Sequence, residues 1–301
     1  MDGAMTETLT HYRTLDVPVE GGDMRVGLWG PDAGPAVLLI HGVTASHLSW
    51  PFVAERLPGV RVIAPDLRGR GRSNGLTGPA GLAAHARDLA DVMDALEVER
   101  AVVVGHSMGA FVALVFGDLH PDRVDGIVLV DGGLPLDLPA GISADEAIRT
   151  VLGPTADRLA LRFASVESYR EFWRAHPAFA RDWTPELEAY LAYDLVGEEP
   201  ELRPSTSYAT LEEDSIDQNT GTAIVDALAH LRRPTVLLTA ERGLLDQVPA
   251  LYDAERVPEL LTRYPGLGHV AVEDVNHYTI AMSPRGADVI ASVVRERLPA
   301  R

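Results

Sequence analysis

Short runs of consecutive apolar residues punctuate this chain, separated by segments in which apolar residues recur every three or four positions. Ala36–Ile40, Ala101–Val104 and Gly126–Val130 are the runs, and Val60–Ala64 and Pro234–Thr239 are strand-like stretches interrupted only by Arg61 and by two threonines. Unbroken apolarity over four to six residues is expected of a strand covered on both faces, as in a parallel sheet between two layers of helices. Ser46–Leu57, Leu82–Leu96 and the segment after Ser107 read as helices, Leu82–Leu96 with Leu89, Val92, Met93 and Leu96 on its apolar side. Leu15–Val19 and Met24–Trp29, joined at Gly21-Gly22, predict a hairpin at one sheet edge. Arg263-Tyr264 with Val270–Val272 predict the last strand region, and Ala287–Leu298 a closing helix. Strand alternating with helix over 301 residues predicts one α/β unit rather than two small domains.

The pattern changes between Leu134 and about His230, where no strand-like run appears and amphipathic pieces rich in aromatics, among them Phe172, Trp173, Trp183 and Tyr190, replace it. The expected organisation is therefore a core of residues 1–133 and 231–301 carrying a helical insertion of residues 134–230. Most of those aromatics are expected to pack the insertion onto the core. Trp173 and Trp183 are singled out as substrate-pocket walls.

The chemistry concentrates where Ala101–Val104 runs into Gly105-His106-Ser107-Met108-Gly109 and an Ala-rich helical segment. Strand, sharp turn and helix in that order suit a serine lifted above the sheet edge, at the positive end of a helix dipole. Glycines on both flanks suit a turn too tight for side chains. An ordinary helix cap by Ser107 explains the same five residues less well once the rest of the chain is considered. The other glycine-rich stretch, Pro65-Asp66-Leu67-Arg68-Gly69-Arg70-Gly71-Arg72-Ser73, lacks Gly-Lys-Ser/Thr and opens no Gly-x-Gly-x-x-Gly helix, so a phosphate loop is excluded.

His41-Gly42 after a strand, the Gly105–Gly109 turn and a late His277 together resemble the α/β-hydrolase superfamily, in particular its lid-bearing serine esterase, lactonase and dehalogenase-like branch, over about residues 15–298. The resemblance implies an α/β-hydrolase fold: a mostly parallel central sheet flanked by helices, with residues 134–230 as an α-helical lid. It implies Ser107 as nucleophile, His277 as general base, and the backbone N–H groups of Val43 and Met108 as the oxyanion hole, with the Thr44 hydroxyl as a further donor. His41 is expected to bridge loops rather than act as base. His269, in Gly268-His269-Val270, is the second candidate base, with strand entry as its plainer reading.

The acid is less directly marked. Relatives commonly carry Gly-x-x-Asp after the penultimate strand, but here Thr239 is followed by Ala240-Glu241-Arg242-Gly243, with Asp246 three residues further. Asp131, at the tip of the strand after the nucleophile helix, matches the acid position of dehalogenase-like and some esterase members. Asp131 is preferred to Asp246 because a strand tip aims a carboxylate rigidly.

Composition narrows the partners. A formal charge of −18 repels nucleic acid and anionic membranes and favours an uncharged substrate, which the resemblance implies is a small-molecule ester or lactone. Absence of cysteine removes disulfides, thiolate metal sites and a cysteine nucleophile. No stretch approaches a membrane span and the first residues lack a basic and an apolar region, so a cytoplasmic location is expected. No metal and no cofactor is expected. Serine in place of aspartate disfavours dehalogenase and epoxide-hydrolase chemistry, and amidase, cofactor-free perhydrolase or a non-catalytic receptor on the same fold are the alternatives. Oligomeric state has no signature in the sequence.

Overall fold

The computed structural model describes residues 12–136, 141, 143–152, 154–231 and 233–299. Eight strands form one sheet: β1 Arg13–Val19, β2 Gly22–Trp29, β3 Ala36–Ile40, β4 Arg61–Pro65, β5 Ala101–His106, β6 Val124–Val130, β9 Thr235–Arg242 and β10 Leu267–Asn276; a separate pair, β7 Leu195–Val196 and β8 Arg203–Pro204, lies in the insertion. The sheet order is β1-β2-β4-β3-β5-β6-β9-β10. Only the β1–β2 and β2–β4 pairings are antiparallel, so the predicted hairpin sits at the edge and the remaining strands run parallel. This is the α/β-hydrolase fold expected from the sequence.

Each central strand feeds two cores. Leu38, Ile40, Val103 and Leu129 face one side, with the helices Leu82–Ala95 and Met108–Leu119. Val37, Leu39, Val104 and Val130 face the other, with the helices Pro51–Glu55 and Pro284–Arg295. Burial on both faces explains why the strands are continuous apolar runs rather than alternating ones. The long Met108–Leu119 helix has Met108–Gly117 buried without a break, because it packs between the sheet and neighbouring helices.

Four local expectations are corrected. Ser46–Leu57 is a short 3-10 turn, His47–Ser49, followed by the helix Pro51–Glu55. Pro51 has no N–H to continue an earlier turn but is well suited to a first helical turn. Arg263 ends a helix, Val257–Arg263, and the last strand begins only at Leu267. The insertion contains the β7–β8 pair, too short to show a period in sequence. Ala223–Ala229, grouped with the insertion in sequence, packs Ile224, Ala227 and Leu228 into the core beside Met108–Leu119. Among the described residues no helix is long and apolar enough to cross a membrane.

The turn after β5 depends on two glycines. A Cβ on Gly105 would lie 2.1 Å from the carbonyl oxygen of Gly109, and one on Gly109 would lie 2.2 Å from that of Ile40. Both obstacles are backbone, which cannot rotate away. Gly109→Ala is therefore expected to lower the thermal unfolding midpoint by several degrees, since overpacking of this kind costs about 1–3 kcal/mol. An unchanged midpoint in calorimetry would contradict the close packing of this helix on β3.

Candidate active site

Ser107 lies between β5 and the Met108–Leu119 helix, with φ 55° and ψ −122°. A non-glycine residue in this region is strained and is held only by its surroundings. Here Ser107 N–H donates to Val130 O at 2.9 Å and Ser107 O accepts from Ala110 N–H at 3.0 Å. Gly132 closes the support, because a Cβ there would meet Ser107 O at 2.2 Å. The result presents the serine hydroxyl at the C-terminal edge of the sheet.

Two further side chains complete a hydrogen-bonded row. His277 Nε2 lies 3.0 Å from Ser107 Oγ, and His277 Nδ1 lies 2.6 Å from Asp131 Oδ2. With Asp131 accepting at Nδ1, the proton is on Nδ1 and Nε2 faces the hydroxyl as an acceptor. Asp131 is fully buried, and its other oxygen accepts from Ala240 N–H at 3.1 Å. Strand β9 thus fixes the carboxylate that β6 delivers.

His277 follows β10 in a turn built by Asn276. The Asn276 side-chain oxygen accepts from Tyr278 N–H and Thr279 N–H, both at 3.0 Å, and its amide donates to Asp246 Oδ1 at 2.9 Å. Asp246 also accepts from Arg242 Nε at 2.7 Å. Burial opposes its charge, but the bonds from Asn276 and Arg242 outweigh that and hold its carboxyl below the usual range. Asp246 therefore meets the neighbour of His277, not the imidazole. His106 supports the same turn from below: its ring lies 4.8 Å from that of His277, centroid to centroid, and its Nε2–H donates to His277 O at 2.7 Å.

The groups expected to receive an oxyanion flank Ser107. Met108 is the first residue of its helix, so its N–H has no intrahelical partner. Val43 follows β3 and lines the cavity at Ser107, and its own carbonyl accepts from Arg70 Nε at 2.8 Å. Arg70 is fully buried, pairs with Asp214 of the Tyr208–Thr220 helix at 2.5 Å, and reaches to 3.7 Å from Met108 Sδ. One guanidinium therefore ties the Val43 loop, the nucleophile helix and the insertion together. Thr44 borders the second cavity beside Ser107.

His41 and His269 make structural contacts instead. His41 Nδ1–H donates to Gly42 O at 2.7 Å and its Nε2 accepts from Leu67 N–H at 2.9 Å. His269 sits in edge strand β10 against Thr239 Oγ1, at 2.9 Å, and does not reach Ser107. Among the described residues no group of three or more His, Asp or Glu is arranged to hold a metal.

The two tryptophans do not line the cavities at Ser107. Trp173 is buried inside the insertion against Tyr169, Phe172 and Phe179, with the Arg158 guanidinium over its ring. Its ring reaches the site only through Tyr278, at 6.1 Å between centroids. Trp183 is half-buried, donates from Nε1 to Glu188 at 2.8 Å and stacks under Arg174. Both are corrected from pocket walls to packing residues. The walls are instead formed by other apolar side chains, among them Val43, Met108, Phe111, Leu152 and Leu211.

Burial dominates two imidazoles close to the Ser107–His277–Asp131 row, pushing His41 down to about 4 and His106 to about 3. His176 in the insertion is lowered to about 4 by burial and by Arg158. An imidazole whose pKa falls on folding binds its proton better in the unfolded chain, so stability is present above the ordinary value of 6.5 and is lost as pH falls toward the folded value. Urea midpoints are expected to decline steadily from about pH 6.5 to 5, above the range in which most carboxylates titrate. A flat profile across that window would contradict neutral burial of these rings.

Comparison with known proteins agrees with this fold. The family described as alpha/beta hydrolase fold matches residues 35–274. A Mycobacterium tuberculosis protein named lipase LipV is 39% identical over 115 residues, 38% of this chain and 44% of the relative. A protein of Bacillus subtilis named putative 2-succinyl-6-hydroxy-2,4-cyclohexadiene-1-carboxylate synthase is 37% identical over 102 residues, 33% of this chain and 37% of the relative. The first of the curated relatives, an uncharacterized Mycobacterium bovis protein, is 37% identical over 141 residues, so this chain spans about 41% of its length. Among solved structures, E-2-(acetamidomethylene)succinate hydrolase superposes with a TM-score of 0.78 at 20% identity, covering 95% of this chain and 100% of the other. The thioesterase domain from the curacin biosynthetic pathway gives 0.72 at 22%, covering 95% and 99%. The sheet order, the strained serine turn and the match over most of the length lead to one assignment: this chain belongs to the alpha/beta hydrolase family.

Proposed function

We propose that this protein is a serine hydrolase that cleaves carboxylic esters or lactones through an acyl-enzyme, without metal or cofactor. The observation that carries the reading is the continuous row from Ser107 Oγ through His277 to Asp131, at 3.0 and 2.6 Å. Ser107 Oγ attacks the ester carbonyl while His277 Nε2 takes its proton, and Asp131 balances the imidazolium that forms. The carbonyl oxygen becomes an oxyanion bound by the Val43 and Met108 N–H groups, each worth about 3 kcal/mol of transition-state stabilisation. Collapse expels the alkoxide, which leaves with the proton from His277. Water then enters, gives its proton to His277 and attacks the acyl carbon, releasing the carboxylic acid and restoring Ser107.

The helices of the insertion, which contribute Ile148, Leu152 and Leu211 to the cavity, act in this reading as a lid that excludes water around the developing charge. The lipase name of one relative supports the reading of ester cleavage. A serine rather than a carboxylate at the turn gives an acyl-enzyme rather than the alkyl-enzyme of dehalogenase chemistry.

Ser107→Ala is expected to abolish turnover of p-nitrophenyl esters. Asp131→Asn should lower kcat by about four orders of magnitude, since the amide favours the wrong tautomer and leaves the imidazolium unbalanced. Asp246→Asn should cost about tenfold or less, because Asp246 only steadies Asn276. Steady-state kinetics on the three variants checks all of this. Asp246→Asn losing as much as Asp131→Asn would overturn the assignment of the acid.

A further inference from the structure

Two cavities meet at Ser107, and they divide the catalytic groups unequally. Val43 and Ser107 border both. Met108 borders only the first, with a cavity volume of about 60 Å³, and His277 borders only the second, of about 30 Å³. A leaving alkoxide takes its proton from His277 Nε2, so the alcohol part of an ester lies on the His277 side. The acyl part is left to the first cavity.

Besides its apolar walls, that cavity is lined by Ser215, Gln218 and Asn219 of the Tyr208–Thr220 helix. Positions 215, 218 and 219 share one helix face by their three- and four-residue spacing. Asn219 spends its amide on Ser215, donating to the backbone oxygen at 2.8 Å and lying 3.4 Å from Oγ. Gln218 is half-buried and makes no hydrogen bond to protein among the described residues. Among the described residues no lysine or arginine borders the cavity, and the one carboxylate there, Asp131, is engaged by His277. Arg70, which lies 3.7 Å from the lining residue Met108, is paired with Asp214.

Building on the ester hydrolase reading, we infer that the first cavity is an acyl subsite for a short, uncharged acyl chain ending in an amide or hydroxyl group, which Gln218 recognises. The carboxamide of Gln218 offers both a donor and an acceptor, so it pairs with a neutral polar end in either sense. A plain alkyl end leaves it unpaired, and an anionic end meets no countercharge in a strongly acidic protein. The volumes set the scale: about 60 Å³ admits only a few groups of the size of a water molecule, each of which needs roughly 10–15 Å³, before the chain reaches the mouth.

Three methyl esters of nearly equal shape test this: methyl 5-amino-5-oxopentanoate, methyl 5-methylhexanoate and monomethyl glutarate, with amide, alkyl and carboxylate ends. The expected order of kcat/KM is amide, then alkyl, then carboxylate. Gln218→Leu should reduce the amide-to-alkyl ratio by about tenfold, the worth of one neutral hydrogen bond. An unchanged ratio, or the carboxylate as the preferred ester, would overturn the subsite. The same esters titrated calorimetrically into Ser107→Ala separate the two readings, because binding needs no turnover. Preferential binding of the amide ester, lost in Ser107→Ala/Gln218→Leu, supports the subsite even if the wild-type protein hydrolyses none of the three. Equal binding of amide and alkyl esters overturns it even if hydrolysis proceeds.

Discussion

The backbone at Ser107 is the constraint on which the site depends. A serine at φ 55° is unfavourable on its own and persists because Val130 O, Ala110 N–H and the close passage of Gly105, Gly109 and Gly132 leave it no other course. The strain does work: it turns the chain from strand to helix within one residue, so the hydroxyl stands clear of the sheet and beside the helix N-terminus. Parallel strand order then brings the other parts to the same edge. Strand β6 ends one residue before Asp131 and β10 one residue before His277, and both ends lie at the same edge of the sheet as the end of β5.

Around that row the chain uses buried polar groups as fixed struts. Asp246 and Asn276 set the turn that carries His277, and His106 holds the carbonyl of His277 from beneath. Arg70 and Asp214 join the Val43 loop to the insertion at a position where neither charge meets water. Breaking one member of such a pair leaves an uncompensated buried charge, which is far costlier than the pair is stabilising. The site is therefore rigid in the parts that must not move, while the cavity beside Ser107 is lined by apolar side chains and the polar face of one helix.

Much of this was legible in sequence because the signals are local. Strands covered on both faces announce themselves as unbroken apolar runs, and Gly105–Gly109 carries its own strand-turn-helix context. Asp131 was distinguishable from Asp246 by its position at a strand tip. What escaped was set by distance in space rather than in sequence. Trp173 and Trp183 have the composition of pocket walls, but only the packed insertion shows Trp173 facing Tyr169 and Phe179 and Trp183 occupied by Glu188 and Arg174. The Arg70–Asp214 pair joins a loop and a helix 144 residues apart, 214 − 70, and no periodicity links them. The real walls, Leu152 and Leu211, look in sequence like any amphipathic helix residues.

Everything chemical in this account rests on Ser107 being a hydroxyl activated by His277. Treatment with a fluorophosphonate followed by peptide mass mapping reads that activation directly, because only an activated serine is phosphonylated at an appreciable rate. One adduct on the peptide containing Ser107, absent from His277→Ala, is the result expected. An unlabelled protein, or an adduct on a different serine, would contradict the account.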